Sequence, residues 1–558
     1  MKHNQVMKSF IKENFLILIV ILILFSYLGI KALDPNGWDG WGFGSAQTLM
    51  SGKYWAKNGF AKNYFLFIPS PYSKLIHYLD SEEFRTRKIE DVNGALVRNR
   101  IYYTHYPPLY LFPYASMAKF GIESRAAFRI LSLFISLLAL FLFYLFIKSV
   151  SNKSIALTAS VYYGFSVTFL NYTDSVSIQP WTILFTFLIL NLSIFAWRNF
   201  NNLKKYQKYN TGIWLAYLAL SLSSYDITFF IFTYLVLFDI FILRKFLWKK
   251  WLLFASAPII GFALQIFQNA WYLGAAETWQ DIYISYAGRA VGTLKGFLLG
   301  LITPFISMTG IKTFYFLKKT AMALGSASLI IWILWKLRTK LNLSNNFFKF
   351  VLILGTAAVI QPFFVNVTGH WPYQGVLTAP FWGLVIGAAS ASLLRCIAVL
   401  KHSLLKEKIT VTALVLIIAA LWLVRFYDTL VYTKAWPNNE VPKEVLRFSE
   451  KIKTIYPNEE RVAFRILPQN PVWKSQFPVF NFEYYLDMLK IEFVNVKDLL
   501  ADFFWLRDIS SYPFYSFVIS ENKSDTEIIR QELITKNLKN ISPIVNIQGQ
   551  YLFTVGPK

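Results

Sequence analysis

The residues best suited to chemistry crowd into one stretch, residues 34 to 126, between the first two apolar runs of the chain. It opens DPNGWDGWGFGSAQTLMSGKYW and closes YYTHYPPLYLFPYASMAKFGIESRA. Asp39 is flanked by Trp38 and Trp41, and nearby glycines let the backbone approach a ligand closely. A carboxylate partly withdrawn from water by indole rings is a better proton acceptor than an exposed one, so Asp39 is the candidate general base. Asp34, at the end of the first apolar run, reads as a cap or a solvated turn. At the far end His105 precedes a Pro-Pro pair that fixes an extended entry into a helix. Arg98, Arg100 and His105 offer positive charge for a phosphate, while Tyr103 and Tyr106 join the tryptophans as flat walls for a sugar.

Three later loops carry further candidates. Asp174, in LNYTDSVSIQPW, reads equally as a second catalytic carboxylate or as a turn or cap before the next helix. Asp226, in SSYDITFF, either contacts substrate or caps the following helix. His370 and Tyr373, in NVTGHWPYQGVLTAPFWGL, are placed to touch phosphate or sugar, against the plainer reading of a polar interfacial anchor. Arg129 is a candidate for a lipid phosphate or for ordinary lipid headgroups.

The elements that position these residues are membrane helices. The 558-residue chain is 55% hydrophobic and 18% aromatic, with mean hydropathy +0.41, and its apolar residues recur in runs of about 20, the length needed to cross a bilayer. The net charge of +25 does not indicate nucleic acid, because Lys and Arg collect in short loops between apolar runs, where they set topology. Lys2, Lys8 and Lys12 put the N-terminus in the cytoplasm and the residue 34 to 126 loop outside. Spans are expected near 14–33, 127–147, 154–171, 179–197, 211–224, 227–243, 251–268, 320–335, 349–367, 371–394 and 409–426, about eleven in all, with 297–319 as an external re-entrant or interfacial segment. The pattern Ala46, Leu49, Met50, Tyr54 suggests a helix lying along the interface.

Residues 1–427 form the membrane domain. From Asp428 onward 16 Lys/Arg are matched by 16 Asp/Glu, which marks a small external α/β domain over 428–558. Its expected elements are strands at RVAFRI, FYSFVIS, IVNI and YLFTV, and helices at VPKEVLRFSEKIKTIY and DTEIIRQELITKNL. The single cysteine, Cys396, reads as an inert thiol. The first span reads as an anchor and not a cleaved leader. No Walker A pattern, dinucleotide fingerprint or Cys/His metal spacing stands out. Asp39 and Asp174 are too few carboxylates to define a metal site, so no cofactor is assigned and a divalent cation stays open.

In its order of parts the sequence resembles the GT-C membrane glycosyltransferases. The branch it is most similar to holds the protein O-mannosyltransferases, the lipid A aminoarabinose transferases and the Rgt-type lipopolysaccharide transferases. The shared pattern is an early loop acid (Asp39), a (H/K)PPL-like element (His105 to Leu109), an FG pair (Phe120-Gly121) and an arginine at the second span (Arg129). His370 to Tyr373 resembles the family's H-x-x-Y element. The chain departs from the pattern where Gly40 follows Asp39 in place of a second acid, and where Tyr225 and Asp226 stand in a loop that many members mark with Lys. The resemblance implies a GT-C fold and inverting transfer of a hexosyl or pentosyl group from a polyprenyl-phosphate sugar. The acceptor would be a glycan, lipid or protein of the cell envelope, at a multi-pass cell-membrane protein's external face.

A flippase or transporter of lipid-linked saccharides is the alternative of another class; it needs polar residues deep within several spans, whereas here they gather at one face. An assembly factor docking through its C-terminal domain leaves Asp39 and His105 unexplained. The topology is directly testable: a reporter after Lys558 should share a compartment with one near Asn93 and lie opposite one near Lys205. Finding both chain termini on one side would overturn the odd span number.

Overall fold

The computed structural model describes residues 2–34, 42–61, 65–70, 101–103, 107–225, 227–276, 278–279, 316–339, 341, 343–364, 378–392, 405–435, 450–451, 454, 462–467, 490–495, 516–520, 522–535, 540–547 and 550–555. The protein is mainly α-helical, and five of its described helices are long and apolar enough to cross a membrane. These spans are Lys12–Leu33 of α1 (Lys2–Leu33), α4 (Arg125–Val150), α7 (Ile178–Arg198), Trp248–Trp271 of α10 (Trp248–Leu273) and Val411–Val431 of α14 (Leu405–Ala435). It is a multi-pass membrane protein.

Between them lie α2 (Gly42–Asn58), α3 (Leu111–Lys119), α5 (Lys153–Gly164), α6 (Val167–Tyr172), α8 (Leu203–Ser221) and α9 (Thr228–Phe238), whose last turn widens into a π-helix over Asp239–Leu243. After α10 come α11 (Phe316–Lys336), α12 (Asn345–Phe364) and α13 (Ala379–Ala391). Stretches of α9, α11, α12 and α13 are apolar but shorter than a full span. Most of the expected re-entrant segment and the N-terminal part of the expected 371–394 span fall outside the described residues.

Local sequence sets the helix starts. Ser124, Asn152, Ser166 and Asn202 each accept a hydrogen bond from a first-turn N–H of α4, α5, α6 and α8, satisfying donors that a helix start leaves open. Ser166 also explains why residues 154–171, expected as one span, form two helices. Its side chain starts α6 at the Phe169 N–H, and the Phe165 carbonyl freed by the break accepts from Thr429 Oγ1 of α14 at 2.8 Å. The start of α9 is capped from elsewhere: Gln361 Oε1 of α12 accepts from the Phe230 N–H at 2.7 Å.

The C-terminal part forms a five-stranded mixed sheet from β3 (Val462–Leu467), β4 (Lys490–Asn495), β5 (Ser516–Ser520), β6 (Val545–Ile547) and β7 (Gln550–Val555). Its order is β4-β3-β5-β7-β6, with β3 parallel to β4 and β5 and the remaining pairs antiparallel. Helix α15 (Lys523–Thr535) buries Ile529 and Leu533, and the sheet buries Val518, Ile519 and Phe553. The strands at RVAFRI, FYSFVIS, IVNI and YLFTV form as their alternation suggests. Strand β4, KIEFVN, was not foreseen; it is a short edge strand in which Lys490 and Glu492 alternate with Ile491 and Phe493 over only four positions.

The membrane helices meet closely where glycine removes the side chain. A Cβ on Gly387 of α13 would lie 2.8 Å from the Ile155 carbonyl oxygen of α5, whereas one on Gly325 of α11 meets nothing within 4 Å. Gly387→Ala should therefore cost about 1–3 kcal/mol by forcing α5 and α13 apart. Gly325→Ala should be neutral or stabilise by about 0.5–1 kcal/mol. Thermal unfolding of the purified protein in detergent reads both; equal melting temperatures would contradict this packing.

Candidate functional site

The loop that bears most of the candidate site residues is anchored at both ends. After α2, strand β1 (Phe67–Ser70) pairs antiparallel with β2 (Ile101–Tyr103), Phe67 opposite Tyr103, so the chain between them leaves and returns at one place. Residues 107–109 of the PPL element follow, and the Leu109 N–H donates to the carbonyl of Leu222, at the end of α8, at 2.9 Å. Pro107 and Pro108 are buried there. Because proline fixes its own φ and lacks a donor, the pair holds an extended segment with few backbone demands beside the α8–α9 turn.

Helices α2 and α3 pack on each other. Leu49, Met50, Tyr54 and Trp55 of α2 are buried, as are Leu111, Tyr114, Ala115 and Ala118 of α3, and Gly52 lets α2 approach the α3 backbone, a Cβ there lying 3.5 Å from the Ala115 nitrogen. The periodicity expected of an interfacial helix thus reports a buried face against α3. The FG pair has a structural job. Gly121, at φ +81°, ends α3 with its N–H on the Ala118 carbonyl and the Ile122 N–H on Met117, the double bond pattern of a Schellman cap.

Beneath this layer sits a buried ion cluster. Asp174, in the turn between α6 and α7, is fully buried. Its Oδ1 accepts from Lys31 Nζ at 2.7 Å, and its Oδ2 accepts from Arg129 Nε at 3.0 Å and also from the Arg129 terminal amino group. Lys31 comes from the end of α1 and donates as well to the Leu170 carbonyl at 3.1 Å; Arg129 comes from the second turn of α4. Burial alone pushes the Asp174 carboxyl up, but the two cations outweigh it and hold the group below the usual carboxylate range. The same turn is tied to α2, where Ser45 Oγ accepts from the Val176 N–H at 3.0 Å, and to α4, where Ser136 donates to the Thr173 carbonyl at 2.9 Å. Above it Tyr114 shares a hydrogen bond with Ser132 at 2.7 Å and accepts from Trp181 Nε1 at 3.3 Å.

Of the candidate site residues named in the sequence, Asp174, Arg129 and the backbone of Tyr103 are described. Trp38, Asp39, Trp41, Arg98, Arg100, His105, Tyr106, Asp226, His370 and Tyr373 lie outside the described residues. The segment bearing Asp39 is bracketed by fixed points: the Asp34 carbonyl accepts from Arg125 of α4 at 3.1 Å, and α2 begins at Gly42. Arg129 is turned to Asp174, which leaves its guanidinium ill placed for a lipid phosphate. Lys31 was missed; its signal was a lysine inside an apolar run, three residues before Asp34, where a topology-setting charge would stand outside. Among the described residues no three His, Cys, Asp or Glu side chains could share a metal ion. Asp174 does not fit as a metal ligand, since a divalent cation would have to displace Lys31 or Arg129.

An Asp174→Asn variant leaves two buried cations with one neutral partner and should lose about 3–5 kcal/mol of stability. Because the folded-state pKa lies below the unfolded value of about 3.9, the stabilisation is fully present above that value and is lost as pH falls through the folded pKa. Melting temperatures at pH 7 and pH 3 should thus diverge more in the parent than in Asp174→Asn. Equal pH dependence in both would show that the cluster does not stabilise the fold.

No family model matches the sequence, and no curated protein matches it either. Among solved structures the chain is similar to ArnT from Cupriavidus metallidurans bound to undecaprenyl phosphate, with TM-score 0.57 at 10% identity, covering 98% of each chain. It is similar to ArnT of the same organism in the apo state, with TM-score 0.52 at 10% identity over 97% of each chain. The apo oligosaccharyltransferase of Archaeoglobus fulgidus gives TM-score 0.49 at 14% identity, over 94% of this chain and 69% of that one. Two ArnT structures matched from end to end identify the architecture, and the chain has the GT-C fold.

Proposed function

We propose that this protein transfers a sugar from a polyprenyl-phosphate donor to an acceptor in the cell envelope, with Asp39 as general base, on the outer face of the membrane. The observation that carries the reading is the convergence of α1, α2, α4 and the α6–α7 turn on the Lys31–Asp174–Arg129 cluster, in a fold matched throughout by ArnT bound to undecaprenyl phosphate. These contacts hold the attachment points of the Asp39 segment, as the β1–β2 pair holds those of the loop bearing Arg98 and Arg100.

In the proposed reaction an acceptor hydroxyl or amine attacks the anomeric carbon from the face opposite the phosphate. The bond from that carbon to the phosphate oxygen breaks, its electron pair leaves with the lipid phosphate, and the acceptor's proton passes to Asp39. Configuration inverts. Arg98, Arg100, His105 and His370 would bind the phosphate, and Trp38, Trp41, Tyr103, Tyr106, Asp226 and Tyr373 would line the sugar. Asp174 is a poor second base, since a carboxylate held ionised by two cations has little proton affinity. We assign it to positioning, and no divalent cation is needed for the step as written.

The test begins with the lipid that co-purifies, identified by mass, and uses it as donor. Asp39→Asn keeps the side-chain shape and removes the proton acceptor. It should retain the parent melting temperature and binding of undecaprenyl phosphate while lowering turnover by about 10² to 10⁴. Asp34→Asn should cost far less. Near-normal turnover in Asp39→Asn would remove it as the base, and a co-purified lipid that is not a polyprenyl phosphate, with or without its sugar, would remove the donor class.

A further inference from the structure

A cleft of about 460 Å³ opens between the first turns of α8 and α10. The two helices run alongside each other and are joined by Trp214 Nε1 donating to Ser256 at 3.0 Å. The cleft lies N-terminal to that bond. Asn210, one of its lining residues, lies 12 residues before Leu222, the anchor of the PPL element. At 1.5 Å per residue that is about 18 Å along the helix, so the cleft is at the opposite end of α8 from the proposed reaction.

Its walls are built for an amphiphile. Tyr206 and Asn210 of α8 line one side. The cleft carries positive charge: Lys249 lines it and is exposed, its Nζ 5.6 Å from the centroid of the Trp248 ring, and Lys204, Lys205 and Lys208 are exposed on the first turns of α8, as is Arg244 before α10. The acid at this end, Asp239, is taken up by Lys250 at 2.8 Å and by Trp251 Nε1 at 2.9 Å. The remaining wall is apolar, formed by Phe246, Trp248 and Leu253, which are 75%, 52% and 52% exposed. Leu253 lies on a membrane-crossing helix, so this wall continues into the region of acyl chains.

We infer that this cleft binds an anionic glycerophospholipid, with the phosphate at Lys249 and an acyl chain along Leu253. A soluble phosphate would use the rim and leave the apolar wall exposed; charge and apolar surface together fit a lipid. The site goes beyond the transfer reaction and shares none of its residues.

The full-length protein, reconstituted in vesicles of mixed phosphatidylglycerol and phosphatidylcholine and released for native mass spectrometry, should retain phosphatidylglycerol in preference to phosphatidylcholine. Lys249→Glu, at an exposed position that does not threaten folding, should lower that retention about tenfold. Glycerol phosphate added in excess should not displace the lipid. Undiminished retention in Lys249→Glu, equal retention of the two lipids, or displacement by glycerol phosphate would each overturn the proposal.

Discussion

A carboxylate can be buried at the membrane edge only if its charge is answered, and Asp174 is answered twice. Lys31 and Arg129 belong to the first and fourth helices, so the pairing dictates that α1, α4 and the α6–α7 turn meet at one point. Ion pairs of this kind gain little net stability over an apolar replacement, because desolvation consumes most of the attraction. What they enforce is register: a shift of α1 by one turn would leave Lys31 and one carboxylate oxygen unmatched. Ser45 and Ser136 then fasten α2 and α4 to the same turn, so the placing of these helices follows from the order of the charges.

Much of this was legible in the sequence, and for identifiable reasons. Long apolar runs such as residues 127–147 and 179–197 have only one way to satisfy their backbones in lipid, so α4 and α7 appear where expected. The break between α5 and α6 was hidden because hydropathy does not register a single serine that caps a helix. Strand β4 was hidden because an edge strand buries little. Asp39 stood out by its residue type and setting, and the PPL element and the FG pair by their resemblance to the GT-C pattern. The structure gives Gly121 a helix-ending role that depends on its positive φ, a reason for glycine that has nothing to do with substrate. The partners of Asp174 were illegible, since Lys31 is 143 positions away in the chain and no local rule links them.

The two ends of α8 are put to different uses. Its last residues meet the PPL element near the α8–α9 turn, while its first turns, with Asn202 as cap, form one wall of the cleft that Lys249 lines from α10. Exposed apolar side chains on α10, among them Leu252 and Ile259, match the surroundings of a helix that faces lipid for most of its length.

The separation between Lys31 and Asp174 also orders the making of the protein. A ribosome adding about 5–20 residues per second takes roughly 7 to 30 seconds to travel from one to the other. During that interval the first helix is inserted with an amine near its end and no carboxylate to meet it. Arg129 is completed before Asp174 as well, 45 positions ahead, so two like charges wait at the same membrane edge. Until the α6–α7 turn arrives, water and lipid phosphates must solvate both. Closure of this corner therefore waits for the α6–α7 turn, which comes within the first third of the chain, and a chain interrupted between Arg129 and Asp174 would present the quality-control machinery with two unneutralised cations at the bilayer surface.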